Sequence, residues 1–113
     1  MTELVINFEL DGLHFWPNAP EQYKEFGQPH RHLFKFICWY AINNSNDPAR
    51  RDKELWELRQ ETISKIATYI PLIKGVYNFG SMSCEGMADL LKSQMNFSRV
   101  FVGEEYWLGA VIS

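Results

Sequence analysis

Three histidines are all that the chain contains. Two of them, His30 and His32, stand two residues apart at the head of the run Pro29-His30-Arg31-His32-Leu33-Phe34-Lys35-Phe36. In a β-strand, side chains at i and i+2 point to one face and lie roughly 6 to 7 Å apart. That is close enough for both imidazoles to hold one metal ion, provided a third ligand arrives from a neighbouring strand. The remaining histidine, His14, lies in an earlier segment that also reads as a strand. Three imidazoles with an open fourth position are the donor set of catalytic zinc, although iron or nickel accepts the same donors. The competing reading is that His-x-His is an accident of a short strand and that His14 is a hydrogen-bonded core residue.

The elements that must position these residues follow from periodicity. Residues 4–16 read as one long strand in which Ile6, Phe8, Leu10, Gly12, His14 and Trp16 share a face. Gly12 inside that run implies a bulge or a close backbone approach. Residues 17–29 hold Pro17, Pro20 and Pro29 with Asn18 and Gly27, a loop by composition. It is long for a hairpin connection, and long loops in compact domains often carry function. A second strand runs from about His30 to Ile42, with His30, His32, Phe34, Phe36, Cys38 and Tyr40 on one face. Both of its faces turn apolar past Phe34, which implies cover on both sides: helices on one, another subunit on the other.

Asp47 is a candidate N-cap with Pro48 in the first helical position, opening a helix that runs to about Tyr69 and is stopped by Pro71. Leu55, Trp56, Leu58, Ile63, Ile66 and Ile70 give it an apolar stripe. Residues 71–82 read as an irregular connection with a short extended piece near 76–79. Ser83 then caps a second helix that ends near Asn96, with Glu85 in its first turn, where a carboxylate interacts well with the helix dipole. Two strands follow, near 98–102 and 107–112. The order strand, strand, helix, helix, strand, strand is an α+β plan: a four-stranded antiparallel sheet with two helices on one face.

A chain of 113 residues is expected to form one domain spanning 1–113. Its net charge of −3 offers no general basic surface, which argues against a nucleic-acid partner. No apolar run approaches the ~20 residues of a membrane span. The Met1-Thr2-Glu3-Leu4 start lacks the basic and apolar regions of a signal peptide, so a cytoplasmic location is the expectation. Cys38 and Cys84 follow no CxxC pattern and read as free thiols.

This order of elements, with these histidines, resembles the 6-pyruvoyl-tetrahydropterin synthase and 6-carboxytetrahydropterin synthase family, built on the tunnelling fold. The resemblance rests on Leu10-Asp11-Gly12-Leu13-His14 with its following proline-containing loop, on His30-Arg31-His32 in place of the family's His-Gly-His, and on Ser83-Cys84-Glu85-Gly86-Met87-Ala88 in place of Pro-Thr-x-Glu-Asn-hydrophobic-Ala. A weaker match is Val102-Gly103-Glu104 with Ala110 beyond it. The resemblance implies zinc held by His14, His30 and His32. It implies a pterin anchored by Glu85, with Glu104 as a further substrate-binding acid, and lyase-type chemistry on a dihydroneopterin-type substrate. It also implies a homo-oligomer, a hexamer or similar, whose strands join edge to edge into a barrel.

Three departures qualify that expectation. The family's general-base cysteine, four residues before the first histidine of His-x-His, is replaced by Phe26. Its Asp-His pair has no counterpart in Ile70-Pro71-Leu72-Ile73-Lys74, and Arg31 replaces the small residue between the ligands, either crowding the site or setting a cation beside it. Glu25, one position from the missing cysteine, is the candidate replacement base. Cys84 at a helix N-terminus is either an activated thiol or a small buried residue. The alternative function is a non-catalytic binder of a pterin or purine that keeps the metal cage.

Overall fold

Strand β1 (Thr2–His14) and strand β2 (His30–Ile42) form an unbroken antiparallel ladder from Thr2 opposite Ile42 to His14 opposite His30. These come from a computed structural model that describes residues 2–42 and 52–113. The expected helix start at Asp47 and Pro48 lies outside the described residues. Helix α1 (Asp52–Tyr69) leads into two short strands, β3 (Leu72–Ile73) and β4 (Val76–Asn78). Helix α2 (Cys84–Gln94) precedes strand β5 (Arg99–Gly103) and strand β6 (Gly109–Ile112). The loop after β1 contains a 3-10 segment, Glu21–Gly27, and a second one, Glu105–Trp107, joins β5 to β6. No described helix is long and apolar enough to cross a membrane.

The architecture is α+β, but the sheet is larger than the four antiparallel strands expected. Its order is β3-β4-β1-β2-β5-β6, and β4 runs parallel to β1. The Pro71–Asn78 stretch that reads as a connection forms a small hairpin because Lys74 and Gly75 adopt positive φ (52° and 80°) and turn the chain tightly. The hairpin then docks on the free side of β1, extended by the bond from Phe79 N–H to the Leu13 carbonyl (2.9 Å).

The core lies between one sheet face and the helices. Ile6, Phe8, Leu10, Phe34, Phe36, Cys38, Val100 and Val102 meet Ile66 and Ile70 of α1 and Met87, Ala88 and Leu91 of α2. Phe8 and Phe36, directly opposite in the ladder, stack at 4.9 Å. Trp56, placed on the apolar stripe by its spacing, is 60% exposed, and Thr62 takes a buried position on α1. Thr62 is accommodated because its hydroxyl donates to the Leu58 carbonyl one turn back (2.7 Å). Ser83 caps α2 as expected, its Oγ accepting the Gly86 N–H at 3.1 Å.

Gly12 makes a close approach and no bulge. A Cβ there would stand 2.7 Å from the Phe79 ring and 3.0 Å from Phe34, so the missing side chain lets those rings close the core directly beneath the histidines.

Candidate metal centre

Beyond Leu10 and Phe34 the inner face of the β1–β2 ladder changes from hydrocarbon to imidazole. Gly12 pairs with His32, and His14 pairs with His30. The three rings pack edge to face with centroids 4.5 Å (His14–His30), 5.2 Å (His14–His32) and 5.0 Å (His30–His32) apart. One nitrogen from each lies within 4.8 Å of the other two. His14 is 9% exposed, and the edge of the Phe34 ring supports it from below (5.0 Å).

Each ring is oriented by an acceptor on its outer nitrogen. His14 Nδ1 donates to the Met82 carbonyl (3.0 Å), His30 Nδ1 to the Gln28 carbonyl (3.0 Å), and His32 Nδ1 to the Glu105 carboxylate (2.7 Å). These acceptors hold a proton on Nδ1, so that in the neutral ring Nε2 keeps its lone pair, the state in which an imidazole ligates a metal. His14 Nε2 is buried and has no hydrogen-bond partner among the described residues. Buried polar atoms are ordinarily paired, so an orphan aimed into a histidine cluster fits a missing cation. Burial, followed by the neighbouring imidazoles, holds His14 below its ordinary pKa against the opposing pull of the Met82 carbonyl and Glu104. The donor set therefore suits zinc, and His14, His30 and His32 are the residues that would hold it.

Glu104 and Glu105 arrive together from the β5–β6 turn. Glu104 continues the inward series Val100, Val102 by the strand period. Its Oε1 lies 3.3 Å from His14 Nε2 and its Oε2 lies 3.5 Å from His32 Nε2. Glu105 also accepts the Leu33 N–H (2.8 Å), a ladder donor beyond the point at Lys35 where β2–β5 pairing stops. Burial pushes the Glu105 carboxyl up. The bonds from Leu33, from its own N–H and from His32 outweigh that and hold it below the usual carboxylate range.

A cavity of about 310 Å³ opens over the cluster, lined by His14, His30, His32 and Glu104 with Trp16, Phe26, Met82 and Ser83. Its walls are pinned to the end of β1: Trp16 N–H donates to the Phe26 carbonyl (2.8 Å) and Phe15 N–H to the Gly80 carbonyl (2.9 Å). The Phe26 and His30 rings meet in a T-shaped contact at 5.6 Å. Trp16 and Tyr23 stack beside it at 5.8 Å.

The structure thus brings four of the six candidate residues together: His14, His30, His32 and Glu104. Glu25 is exposed on the 3-10 segment and is absent from the cavity wall. Glu85 is exposed in the first turn of α2, outside that wall, while its neighbour Ser83 lines it. Arg31 neither crowds the site nor lends it charge. It lies on the opposite sheet face and pairs through both Nε and Nη2 with Asp11. Cys84 is no activated thiol: burial and then the Glu104 charge push it up to about 11, and burial pushes Cys38 to about 12.

Sequence reasoning missed Glu105 and the Met82 and Gln28 carbonyls. Backbone carbonyls carry no residue-type signal. Glu105 had one available sign, its adjacency to Glu104 at the end of a strand, but strand alternation sends adjacent residues to opposite faces. Neither a protein-family model nor a protein of curated function matches this chain.

Proposed function

We propose that this protein is a zinc-dependent protein of the 6-pyruvoyl-/6-carboxytetrahydropterin synthase type, acting on a dihydroneopterin-type substrate at the His14–His30–His32 end of the sheet. The observation that carries this reading is the convergence of three imidazoles whose Nδ1 atoms are all engaged, with the buried His14 Nε2 making no hydrogen bond among the described residues.

Zinc at these nitrogens would supply Lewis acidity, polarising substrate side-chain oxygens and lowering the pKa of their hydroxyls. The chain supplies the rest. The apolar wall of Trp16, Phe26 and Met82 suits the faces of a flat heterocycle. Glu85, in the first turn of α2 and outside the cavity wall, is the carboxylate that the resemblance assigns to the ring N–H and amino group through charge-assisted hydrogen bonds. Glu104, inside the cavity, meets the part of the substrate that lies against the histidines. Glu25 serves as base only if the Glu21–Gly27 segment turns it inward, and full turnover by Glu25→Gln would remove it from the mechanism.

A second reading is a non-catalytic pterin or purine binder. It is favoured by Phe26, a ring that takes no proton, standing in the cavity wall where the family has its cysteine.

We also propose a homo-oligomeric barrel. It is supported by the open edges at β3 and β6 and by the sheet face away from the helices, where Val5, Leu33 and Val111 are exposed.

Zinc content per chain, measured with binding of a reduced pterin on wild type and His30→Ala, tests the main reading. Near-stoichiometric zinc, lost in the variant together with tight pterin binding, is expected. Absence of both metal and pterin binding in the wild type would overturn the function and leave the fold. Turnover of dihydroneopterin triphosphate separates enzyme from binder.

A further inference from the structure

We propose that Glu104 is a fourth protein ligand of the metal centre, so that the position facing the cavity is closed by a carboxylate until substrate displaces or joins it. This rests on the reading of the histidine cluster as a metal site and deepens it.

The argument begins with hydrogen placement. His14 donates through Nδ1 to a carbonyl and His32 donates through Nδ1 to a carboxylate, and neither acceptor has a proton to give. In neutral rings both Nε2 atoms then present lone pairs, and Glu104 sets a carboxylate oxygen 3.3 Å from that of His14 and another 3.5 Å from that of His32. Electron pairs facing an anion repel, and the His14 atom is too buried for water to relieve it. A cation among them turns the repulsion into coordination. The two Glu104 contacts are close to the spacing of neighbouring ligand atoms in a tetrahedral site, about 3.3 Å for bonds of roughly 2.0–2.1 Å, and the three imidazole nitrogens lie within 4.8 Å of one another.

The backbone is committed to this delivery. Tyr106 and Trp107, both non-glycine, take left-handed φ values of 66° and 62°. Glu104 N–H to the Leu108 carbonyl (2.8 Å) and Trp107 N–H to the Glu104 carbonyl (3.0 Å) clasp the turn. That turn presents two successive carboxylates to one imidazole, Glu105 at His32 Nδ1 and Glu104 at its Nε2. With Glu104 bound, a divalent ion would carry one net positive charge where three imidazoles alone leave two. The centre would hold metal more tightly and polarise incoming oxygens less.

The test uses the full chain loaded with zinc or with cobalt(II) as a spectroscopic substitute, in wild type, Glu104→Gln and the distant exposed control Glu61→Gln. The expected result is a loss of zinc affinity in Glu104→Gln larger than the ~10- to 100-fold that removal of an outer-sphere partner produces. The cobalt spectrum of that variant should respond to added azide while those of wild type and Glu61→Gln do not. Equal zinc affinity in Glu104→Gln and wild type, or an azide response already present in the wild type, would overturn the proposal while leaving the histidine site standing. If Glu104→Gln does not fold, the zinc-induced infrared difference spectrum of the wild type decides. A carboxylate stretch shifted on metal addition supports ligation, and an unchanged carboxylate region overturns it. A wild type that takes up neither zinc nor cobalt overturns this proposal together with the reading beneath it.

Discussion

The inner face of the β1–β2 ladder is one continuous surface with two unlike halves. From Ile6 opposite Cys38 to Leu10 opposite Phe34, each side chain finds its partner across the ladder and under the helices. From Gly12 opposite His32 to His14 opposite His30, the same register and the same pleat present nitrogen atoms. There the outer nitrogens reach to loops for partners, and the inner ones, His14 Nε2 above all, are left without. The apolar half is stabilised by what the chain already contains. The polar half gathers the donor set of the proposed metal site, so on that reading stability and ligand affinity share one face of one hairpin and should be separable by mutation.

Phe36→Ala attacks the apolar half, where Phe36 is fully buried against Phe8. It should remove about 3–5 kcal/mol of unfolding free energy, read by urea denaturation, while zinc affinity in the folded fraction stays unchanged. A matching loss of affinity would show that the halves are not independent. Glu105→Gln attacks the polar half. A glutamine offers one oxygen where the carboxylate serves both His32 Nδ1–H and Leu33 N–H. Zinc affinity should fall ~10- to 100-fold by competition with a chelating dye, with a smaller change in thermal midpoint; unchanged affinity would remove Glu105 from the site. Gly12→Ala strikes the seam. Its Cβ must displace the Phe79 ring, so about 1–3 kcal/mol of stability should be lost and zinc affinity should weaken as well, a double effect that Phe36→Ala does not show. Ser83→Ala removes the α2 cap and should cost about 1 kcal/mol, with zinc affinity unaltered.

How much of this was legible depended on the range of the interactions. Periodicity placed β1, β2 and both helices, and it put His14, His30 and His32 on one face, because side-chain direction in a strand is a local property. Of the β3–β4 hairpin only the extended piece near 76–79 was read, as β4; β3 and the pairing escaped because the strands are very short and the turn uses Lys74 in a left-handed conformation that favours glycine. Trp56 satisfies the helical period yet is exposed, since the period does not say where the sheet beneath α1 ends. Glu85 and Glu25 were drawn in by resemblance, and nothing local in their segments aims them at the cavity. Glu105 was unreadable for the opposite reason: its role depends on Tyr106 and Trp107 turning the backbone after β5, a conformation that neither residue type announces.

Because β4 lies parallel to β1, the chain leaving it emerges at the His14 end of the sheet, and β5 delivers its own carboxyl end to the same place. The bonds that orient the metal-facing rings accordingly join residues far apart in sequence: His14 to Met82 across 68 positions and His32 to Glu105 across 73. Such closures carry a large entropy cost until the intervening helices are docked, so the orienting bonds form only once the topology is complete. During refolding, high-affinity metal uptake should therefore lag behind helix formation and coincide with the last kinetic phase. On the proposed metal reading, a colorimetric zinc indicator would then be a clock for the arrival of the native chain path, with zinc a ligand of the finished fold.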